Sequence, residues 1–381
     1  MWYAESPSVL LASLFDARLP TAPSDIVFHG STLSHIETNF NYVRRVDRFA
    51  MPENGDVGRR TFLRGTSVTV AGLTATAAGS GVALASEETE TDKQSARDER
   101  RTMGQNGEPT TIAHRGFAGM YPENTVGAVE MAARDGADMV EIDVVPTADG
   151  DVVVFHDDGL AGRDGGERGL TDTEGIVWET PTDVVTSAEV LDSGETVPLL
   201  SELLDALPAS VGVNVEFKNP GSTDIRFAEN LSGETLETQK ELWRPFTEDV
   251  LAVVDEYEHD ILVSSFCEAA IATVREAAPE IPVAFLFWDD IEAGLDITRT
   301  YDCEALHPPY NLVKGTPFFG DEYYTSGPYA DIDLVEVAHE EGRAVNVWTI
   351  GTWYQAQELA KAGVDGLIAD YPGLERFGDR C

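Results

Sequence analysis

The sequence contains few cysteines and few basic residues. Its 381 residues include three cysteines, at positions 267, 303 and 381, which are too few and too scattered for a disulfide framework or a zinc site. Lysine and arginine number 26 against 68 aspartates and glutamates, so the formal net charge is −42. Because the phosphate backbone of a nucleic acid is bound by basic surface, this charge argues against nucleic acid as the main partner.

The rest of the composition is that of a folded protein. Hydrophobic residues make up 42% of the chain, which supplies a sizeable core and excludes a wholly disordered acidic chain. Only five of the 26 basic residues are lysines. An excess of carboxylates with little lysine indicates a surface adapted to multimolar salt, because charges are then screened within roughly 3 Å and like charges no longer repel. An ordinary acidic secreted enzyme is the alternative. A calcium-binding acidic protein is disfavoured because no D-x-D-x-D-G loop is present.

The first 85 residues differ in charge from the rest. They hold seven basic and seven acidic residues, so the whole negative excess lies from Ser86 onward. Within them, the segment GRRTFLRG at 58–65 resembles a twin-arginine export motif, in which paired arginines precede a Phe-Leu pair and a further basic residue. About twenty uncharged residues follow, and an A-x-A pattern at 83–85 precedes an acidic run, as expected of a cleavable signal.

These features predict a twin-arginine signal peptide at 51–85, the twin-arginine translocase as a transient partner, and an extracellular or cell-envelope location. An uncleaved membrane anchor and a buried helix are the alternatives, but the apolar stretch has two leucines and no Ile or Phe, which is weakly hydrophobic for a permanent span. Because Met51 lies eight residues before Arg59, we expect translation to start there. Residues 1–50 would then be a disordered upstream mis-start, 86–109 an acidic linker and 110–381 the folded domain.

From Thr110 onward, short apolar strands alternate with helical patterns. Such alternation predicts a parallel sheet with helices on the outside. The candidate helices include 124–135, 199–206, 234–258, 267–277, 331–341 and 353–362. The candidate strands are 110–114, 138–145, 151–156, 211–218, 261–266, 282–287, 303–307, 343–349 and 364–369.

One pair of strands breaks the alternation, because only the five residues 146–150, ending in Asp-Gly, separate the second candidate from the third. A connection that short makes a hairpin rather than a crossover. With the hairpin counted as one element, eight parallel strands remain, which predicts an α/β fold of the (β/α)8 barrel type. A doubly wound open sheet is the alternative, but no G-x-G-x-x-G lies at a strand–helix junction to support it.

Polar residues lie where the predicted strands end. The active sites of such barrels are at the carboxyl ends of the strands, so these side chains are expected to converge at one mouth. They are His114, Arg115, Glu141, Asp143, His156, Asp157, Glu216, Lys218, Trp348 and Asp370.

Glu141 and Asp143 share one face, because side chains alternate along a strand. Two inward carboxylates do not both stay ionised in a barrel interior without a cation, and Glu216 supplies a third. Three carboxylates with room for water suit Mg²⁺ or Ca²⁺, whereas zinc would recruit histidine or thiolate ligands.

Arg115 and Lys218 flank the same place, and an arginine fork with a lysine is a phosphate-binding pair. His114 and His156 offer a base and an acid near neutral pH. A metal, a phosphate-binding pair and two proton carriers together indicate phosphoryl transfer or phosphodiester cleavage.

Each of these residues also has a structural interpretation. Taken alone, Glu216 and Lys218 could form a buried salt bridge. His156 and Asp157 could simply be the residues at which the chain leaves the hairpin, and Asp370 could cap the end of a strand. The other histidines have no candidate site residues near them in the sequence and are interpreted as structural, solvated or outside the mature chain. They are His29, His35, His259, His307 and His339. A functional role stays open for His307, because it ends a predicted strand at the same face of the barrel.

Eight motifs, in order from about Thr110 to Pro372, resemble those of the glycerophosphodiester phosphodiesterase family. The ordered set is far more specific than any one motif. The motifs are Ile112-Ala113-His114-Arg115-Gly116, Pro122-Glu123-Asn124-Thr125, Glu141-Ile142-Asp143, His156-Asp157, Glu216-Phe217-Lys218, Ser264-Ser265-Phe266, Val347-Trp348-Thr349 and the segment Asp365–Pro372.

The resemblance implies a (β/α)8 barrel with a small insertion at about 159–198, and hydrolysis of glycerophosphodiesters to glycerol phosphate and an alcohol. It also implies roles by position. His114 and His156 would be the acid/base pair, and Glu141, Asp143 and Glu216 would bind a divalent cation. Arg115 and Lys218 would bind the phosphate, and Phe266 and Trp348 would line the glycerol pocket. Glu123 and Asn124 would orient the His114 loop.

The chain departs from the family pattern at the start of the insertion, at Ile350-Gly351 and in the long stretch 220–245, all on the expected alcohol side of the substrate. Two other functions therefore stay open. A phospholipase C- or D-type barrel acting on intact lipid would be favoured by an exposed apolar rim, although the acidic surface disfavours anionic membranes. A non-catalytic phosphate- or calcium-binding envelope protein would be expected to lack a histidine or a ligand, and none is missing.

Overall fold

The computed structural model describes residues 108–162, 170–227, 230–321 and 332–376. The predicted mis-start, signal peptide and most of the linker lie outside these residues, as does part of the insertion. Nine strands form one sheet: β1 (Thr110–His114), β2 (Met139–Pro146), β3 (Val152–Val154), β4 (Gly212–Phe217), β5 (Ile261–Ser265), β6 (Val283–Leu286), β7 (Ala305–His307), β8 (Ala344–Ile350) and β9 (Gly366–Ala369).

Eight of the strands close into a parallel barrel. Each pairs with its neighbour in the order β1-β9-β8-β7-β6-β5-β4-β2, and β1 also pairs with β2, which completes the ring. The prediction of a (β/α)8 barrel is therefore confirmed, and the open sheet is wrong. β3 pairs antiparallel with the end of β2, as the short Asp-Gly connection predicts.

Helices cover the outside of the barrel, and one short helix lies in the insertion after β3. Among the described residues the helices are α1 (Val126–Asp135), α2 (Thr182–Val185), α3 (Leu200–Ala206), α4 (Gly233–Val254), α5 (Glu268–Ala277), α6 (Ile291–Thr300), α7 (Leu334–Glu340) and α8 (Trp353–Lys361). Thr125 caps α1 by accepting from the backbone N–H of Ala128, and Thr352 caps α8 in the same way. None of the helices among the described residues is long and apolar enough to span a membrane.

The insertion between β3 and α3 has a small core of its own. It contains α2 and a 3₁₀ turn at Val177–Glu179, and its buried residues include Phe155, Leu160 and Val190. This core is separate from the main one, which lies between the barrel strands and the outer helices. The insertion therefore packs on the hairpin without disturbing the closed ring of strands.

Strand register sets which inward side chains are neighbours. Glu141 on β2 pairs with Asn214 on β4, and Asp143 pairs with Glu216, which in turn pairs with Ser264 on β5. Because alternate residues of a strand face the same side, these five polar side chains share the inner face of three adjacent strands. A separate apolar layer, formed by Met139, Leu262, Ala284, Ala305 and Ala344, fills another part of the barrel interior.

Candidate active site

Three carboxylates meet inside the barrel mouth. One oxygen from each of Glu141, Asp143 and Glu216 lies within 4.8 Å of the other two, and all three residues are buried. Burial, with the neighbouring charge of Asp143, raises the pKa of Glu141 well above its usual range. Burial also raises the pKa of Glu216, with Lys218 acting in the opposite direction. For Asp143 the effect of burial is outweighed by His156, Arg115 and Lys218, which bring its pKa to about 2.

The donor set of this triad fits a divalent cation. Glu141 Oε1 and Asp143 Oδ1 are buried and accept no hydrogen bond. Unpartnered buried carboxylate oxygens are costly, and a hard cation such as Mg²⁺ or Ca²⁺ takes oxygen ligands of this kind. Glu141, Asp143 and Glu216 are the residues that would hold it.

Two cations border the triad. Arg115 Nη1 lies 2.9 Å from Glu123 Oε1 and its Nε 3.3 Å from Asp143 Oδ2. Lys218 Nζ lies 2.7 Å from Glu216 Oε1 and 3.7 Å from Asp143 Oδ1. Burial by itself would lower the pKa of both groups, but the surrounding carboxylates raise both above their ordinary values. Arg115 and Lys218 thus stay charged beside the triad.

Both candidate proton carriers are held by an aspartate. His114 Nδ1 lies 2.7 Å from Asp370 Oδ1, and His156 Nδ1 lies 2.8 Å from Asp157 Oδ1. The Nε2 atom of each ring is then the one left to meet a substrate. Burial, followed by the charges of Arg115 and Lys218, lowers the pKa of His156 well below its usual range.

The loop after β1 adopts an unusual backbone to present these groups. Arg115, Gly116 and Phe117 all have positive φ angles, of 50°, 78° and 66°. Asn124 has φ 57°, and its Nδ2 donates to Asp143 Oδ2 at 2.8 Å. Glu123 and Asn124 therefore contact Arg115 and the triad directly, which is consistent with the orienting role that the resemblance implies for them.

Aromatic rings form the next part of the mouth. Phe266 and Trp348, predicted as pocket residues, have ring centroids 5.6 Å apart, and Lys218 Nζ lies 5.8 Å from the Phe266 centroid. Two rings that the motifs did not indicate join them. Phe227, from the long β4–α4 segment, stacks on Phe266 at 4.9 Å and packs on Trp288 at 4.8 Å. We call these four residues the aromatic cluster.

The remaining histidines among the described residues take structural places, whereas His29 and His35 lie outside those residues. His259 contacts the backbone carbonyls of Val211 and Leu204. His339 lies 2.7 Å from Asp365, and His307 is fully buried with its Nε2 3.0 Å from Asn346 Nδ2. Burial lowers the pKa of His307 to about 3, so this ring is neutral.

Comparisons with known proteins identify the family of this chain. The family model "Glycerophosphoryl diester phosphodiesterase family" matches residues 114–374. A glycerophosphodiester phosphodiesterase of Bacillus altitudinis is 28% identical over 274 residues, which cover 68% of this chain and 94% of that protein. The chain therefore belongs to the glycerophosphoryl diester phosphodiesterase family, and the prediction of an enzyme of this family is confirmed.

Solved structures show the same fold. A phosphodiesterase of Oleispira antarctica, in complex with the product sn-glycerol-3-phosphate, is 25% identical and has a TM-score of 0.55, with 71% of this chain and 97% of that chain covered. A glycerophosphoryl diester phosphodiesterase of Silicibacter pomeroyi, named as putative, is 25% identical and has a TM-score of 0.56, with 73% and 95% covered.

Proposed function

We propose that this protein hydrolyses glycerophosphodiesters to glycerol phosphate and an alcohol, with His114 and His156 as proton carriers and a divalent cation at the carboxylate triad. The observation that carries the proposal is the pair of histidines, each held at Nδ1 by an aspartate, beside three buried carboxylates. The product named in the Oleispira antarctica complex, sn-glycerol-3-phosphate, supports the substrate class.

Each side chain of the candidate site would have a separate part in the reaction. Arg115 and Lys218 bind the phosphate oxygens and balance the charge that grows on them. One histidine takes a proton through Nε2 from the substrate's own glycerol hydroxyl as that oxygen bonds to phosphorus, and the other gives a proton to the departing alcohol as its P–O bond breaks. Water then opens the cyclic phosphate to glycerol phosphate, with the two histidines in reversed roles. A bound divalent cation would add positive charge next to the phosphate oxygens. Phe266 and Trp348 offer apolar ring surface to the glycerol carbons.

The test compares two histidine variants with a matched control. His114→Ala and His156→Ala should each abolish hydrolysis of glycerophosphocholine and glycerophosphoglycerol in high salt while the melting transition persists. His339→Ala, which removes a histidine that is also held by an aspartate but lies outside the site, should keep its activity. Chelator should remove activity, and Mg²⁺ or Ca²⁺ should restore it. Full turnover in chelator, or in either site variant, would contradict the proposal.

A second candidate, hydrolysis of intact phospholipid, is favoured by apolar side chains exposed near the mouth. Met120 follows β1 and is 58% exposed, while Trp353 and Tyr354 begin α8 and are 48% and 42% exposed. Including intact phospholipid in the substrate panel, with product identification, separates this candidate from the first. A non-catalytic binding role would instead leave every substrate intact.

We further propose that the protein is exported by the twin-arginine route and works in a salty exterior. The support is the sequence of residues 51–85 and the net charge of −42. N-terminal sequencing of the precursor and of the secreted protein tests both the start at Met51 and cleavage after Ala85. A peptide from within residues 1–50 would contradict the proposed start.

A further inference from the structure

Two neutral side chains lie on the same inner face as the carboxylate triad. Asn214 on β4 pairs in register with Glu141, two residues before the ligand Glu216 on its own strand. Ser264 on β5 pairs in register with Glu216. Because alternate residues along a strand face one side, Asn214 and Ser264 are next to the triad on the inside of the barrel.

Both side chains carry an oxygen that has no hydrogen-bond partner. Asn214 is 1% exposed and Ser264 is 0% exposed, and neither Asn214 Oδ1 nor Ser264 Oγ is hydrogen-bonded. Buried polar atoms are nearly always paired, so an unpaired oxygen at such a depth calls for an explanation. Glu141 Oε1 also accepts no hydrogen bond, and neither does Asp143 Oδ1, although Lys218 Nζ lies 3.7 Å from it. Four buried oxygens that accept no hydrogen bond thus lie on three adjacent strands.

Another buried asparagine of the barrel interior provides a contrast. Asn346 on β8 is also buried, but its Nδ2 is 3.0 Å from His307 Nε2, so its amide has a partner within the protein. Asn346 Oδ1 is not among the buried oxygens without a hydrogen bond, whereas Asn214 Oδ1, next to Glu141, is one of them.

We propose that Asn214 Oδ1 is a fourth ligand of the cation at the triad and that Ser264 Oγ holds a water bound to the same ion. The inference rests on the proposed cation site and extends it. Ca²⁺ takes six to eight oxygens in flexible geometry, including amide carbonyls, whereas Mg²⁺ demands a compact octahedron and keeps several of its waters. A site that adds a neutral amide oxygen to three carboxylates suits Ca²⁺ better than Mg²⁺.

The experiment measures ion binding rather than activity. The chelator-stripped protein is titrated calorimetrically with Ca²⁺ and with Mg²⁺ in high salt. We expect wild type to prefer Ca²⁺, and Asn214→Leu to weaken Ca²⁺ binding by at least about 10- to 100-fold, the loss typical when a group that supports a metal ligand from outside the coordination sphere is removed. Ser264→Ala should cause a smaller loss. The control Asn346→Leu, which removes an equally buried amide that does have a partner, should bind Ca²⁺ as wild type does.

Two outcomes distinguish a failure of this inference from a failure of the proposed cation site. If wild type binds neither ion, the cation site fails and this inference fails with it. If wild type binds Ca²⁺ and Asn214→Leu binds it equally well, this inference alone is wrong.

A second variant keeps the test decisive if the leucine variant does not fold. Asn214→Asp retains an oxygen at the ligand position and adds a charge, so Ca²⁺ binding should be at least as tight as in wild type. If Asn214 instead acted only as an amide donor to Glu141, the aspartate would remove that donor and Ca²⁺ binding would weaken, which would overturn the inference.

Discussion

His114 and Asp370 are joined by a 2.7 Å contact between Nδ1 and Oδ1, although 256 residues separate them in the chain. His114 ends the first barrel strand and Asp370 directly follows the last, and the pairing of β1 with β9 brings these two ends together. Closure of the barrel thus brings His114, the proposed proton carrier, into contact with Asp370. The carboxylate holds Nδ1 and leaves Nε2 to face a substrate.

Asp370→Asn should therefore lower kcat by about 10- to 100-fold while KM changes little. The amide keeps the shape of the side chain but removes the carboxylate that holds His114 Nδ1, so the orientation of the ring is lost. Steady-state kinetics in high salt measure the effect, and a fall in kcat at nearly constant KM distinguishes it from a general loss of folded protein.

His339→Gln is the matched control for this prediction. His339 also contacts an aspartate, Asp365, at 2.7 Å, but it lies on α7, away from the carboxylate triad. This variant should lose stability and keep kcat. An unchanged kcat in Asp370→Asn would show that the contact with His114 has no part in proton transfer.

The fold could be predicted from the sequence because its signals are local. Short apolar runs, their alternation with helical patterns and one Asp-Gly connection were enough to predict eight parallel strands with a hairpin. The ends of elements were less accurate. The helix expected at 234–258 ends at Val254, and the strand expected at 303–307 begins at Ala305. Terminal residues are held by few hydrogen bonds, so composition alone does not fix them.

Much of the candidate site could be predicted for a related reason. Residues at the carboxyl ends of barrel strands converge whatever lies between them, so His114, Glu141, Glu216 and Lys218 could be grouped from strand ends alone. Asp370 was placed at the same mouth, but its contact with His114 depends on side-chain packing.

Other residues near the triad carry little signal in the sequence. Asn214 is an ordinary polar residue within a strand and Ser264 belongs to one of the eight motifs, but only register shows that both are neighbours of the triad. Phe227 and Trp288 reach the mouth from separate loops. A single sequence does not distinguish aromatic residues at a binding site from aromatic residues that pack in the core.

The glycine after Arg115 offers a second prediction. Gly116 has φ +78°, and a Cβ built there would lie 2.8 Å from the Cβ of Ala128 and 3.0 Å from its backbone carbon. Gly116→Ala should lower the free energy of unfolding by at least about 1–2 kcal/mol from backbone strain. It should also displace Arg115, with a fall in kcat/KM of about 100-fold.

Gly150→Ala is the control for that variant. Gly150 has φ +91° in the β2–β3 connection, and no atom lies within 4 Å of a Cβ built there. The strain should cost about the same 1–2 kcal/mol without affecting activity. Denaturant titration and steady-state kinetics measure both effects. Equal kcat/KM in the two variants would mean that the Gly116 loop does not position Arg115.

Protons should compete with the cation at the triad. Burial, with the charge of Asp143, raises the pKa of Glu141, so the cation-free folded protein holds this proton more tightly than the unfolded chain does. The contribution of Glu141 to stability is therefore present at low pH and is lost as pH rises through the raised pKa. A cation binds the ionised form, so its stabilising effect should grow as pH rises.

The rise in Tm on adding Ca²⁺ or Mg²⁺, followed between about pH 5 and pH 8 in high salt, measures this competition. The rise should shrink steadily as pH falls. Glu141→Gln, which cannot ionise, should show a smaller rise whose pH dependence is weaker. A rise in Tm that stays constant over this range in wild type would show that Glu141 does not release a proton when the ion binds.

Phe227 should contribute to substrate binding without taking part in the chemistry. Its ring stacks on Phe266 and packs on Trp288, and Phe266 in turn lies beneath Lys218. An aromatic pair of this kind contributes about 0.5–1.5 kcal/mol, so Phe227→Ala should raise KM by about two- to tenfold while kcat stays nearly unchanged.

Phe318→Ala provides the comparison, because the rings that Phe318 pairs with among the described residues are Tyr310 and Tyr354, which are not in the aromatic cluster. Its KM for glycerophosphocholine should remain that of wild type. If Phe227→Ala lowers kcat as strongly as it raises KM, the ring acts on the placement of Lys218 through Phe266. Direct contact with the substrate would then be the wrong explanation for the effect of Phe227, which lies in the long β4–α4 segment.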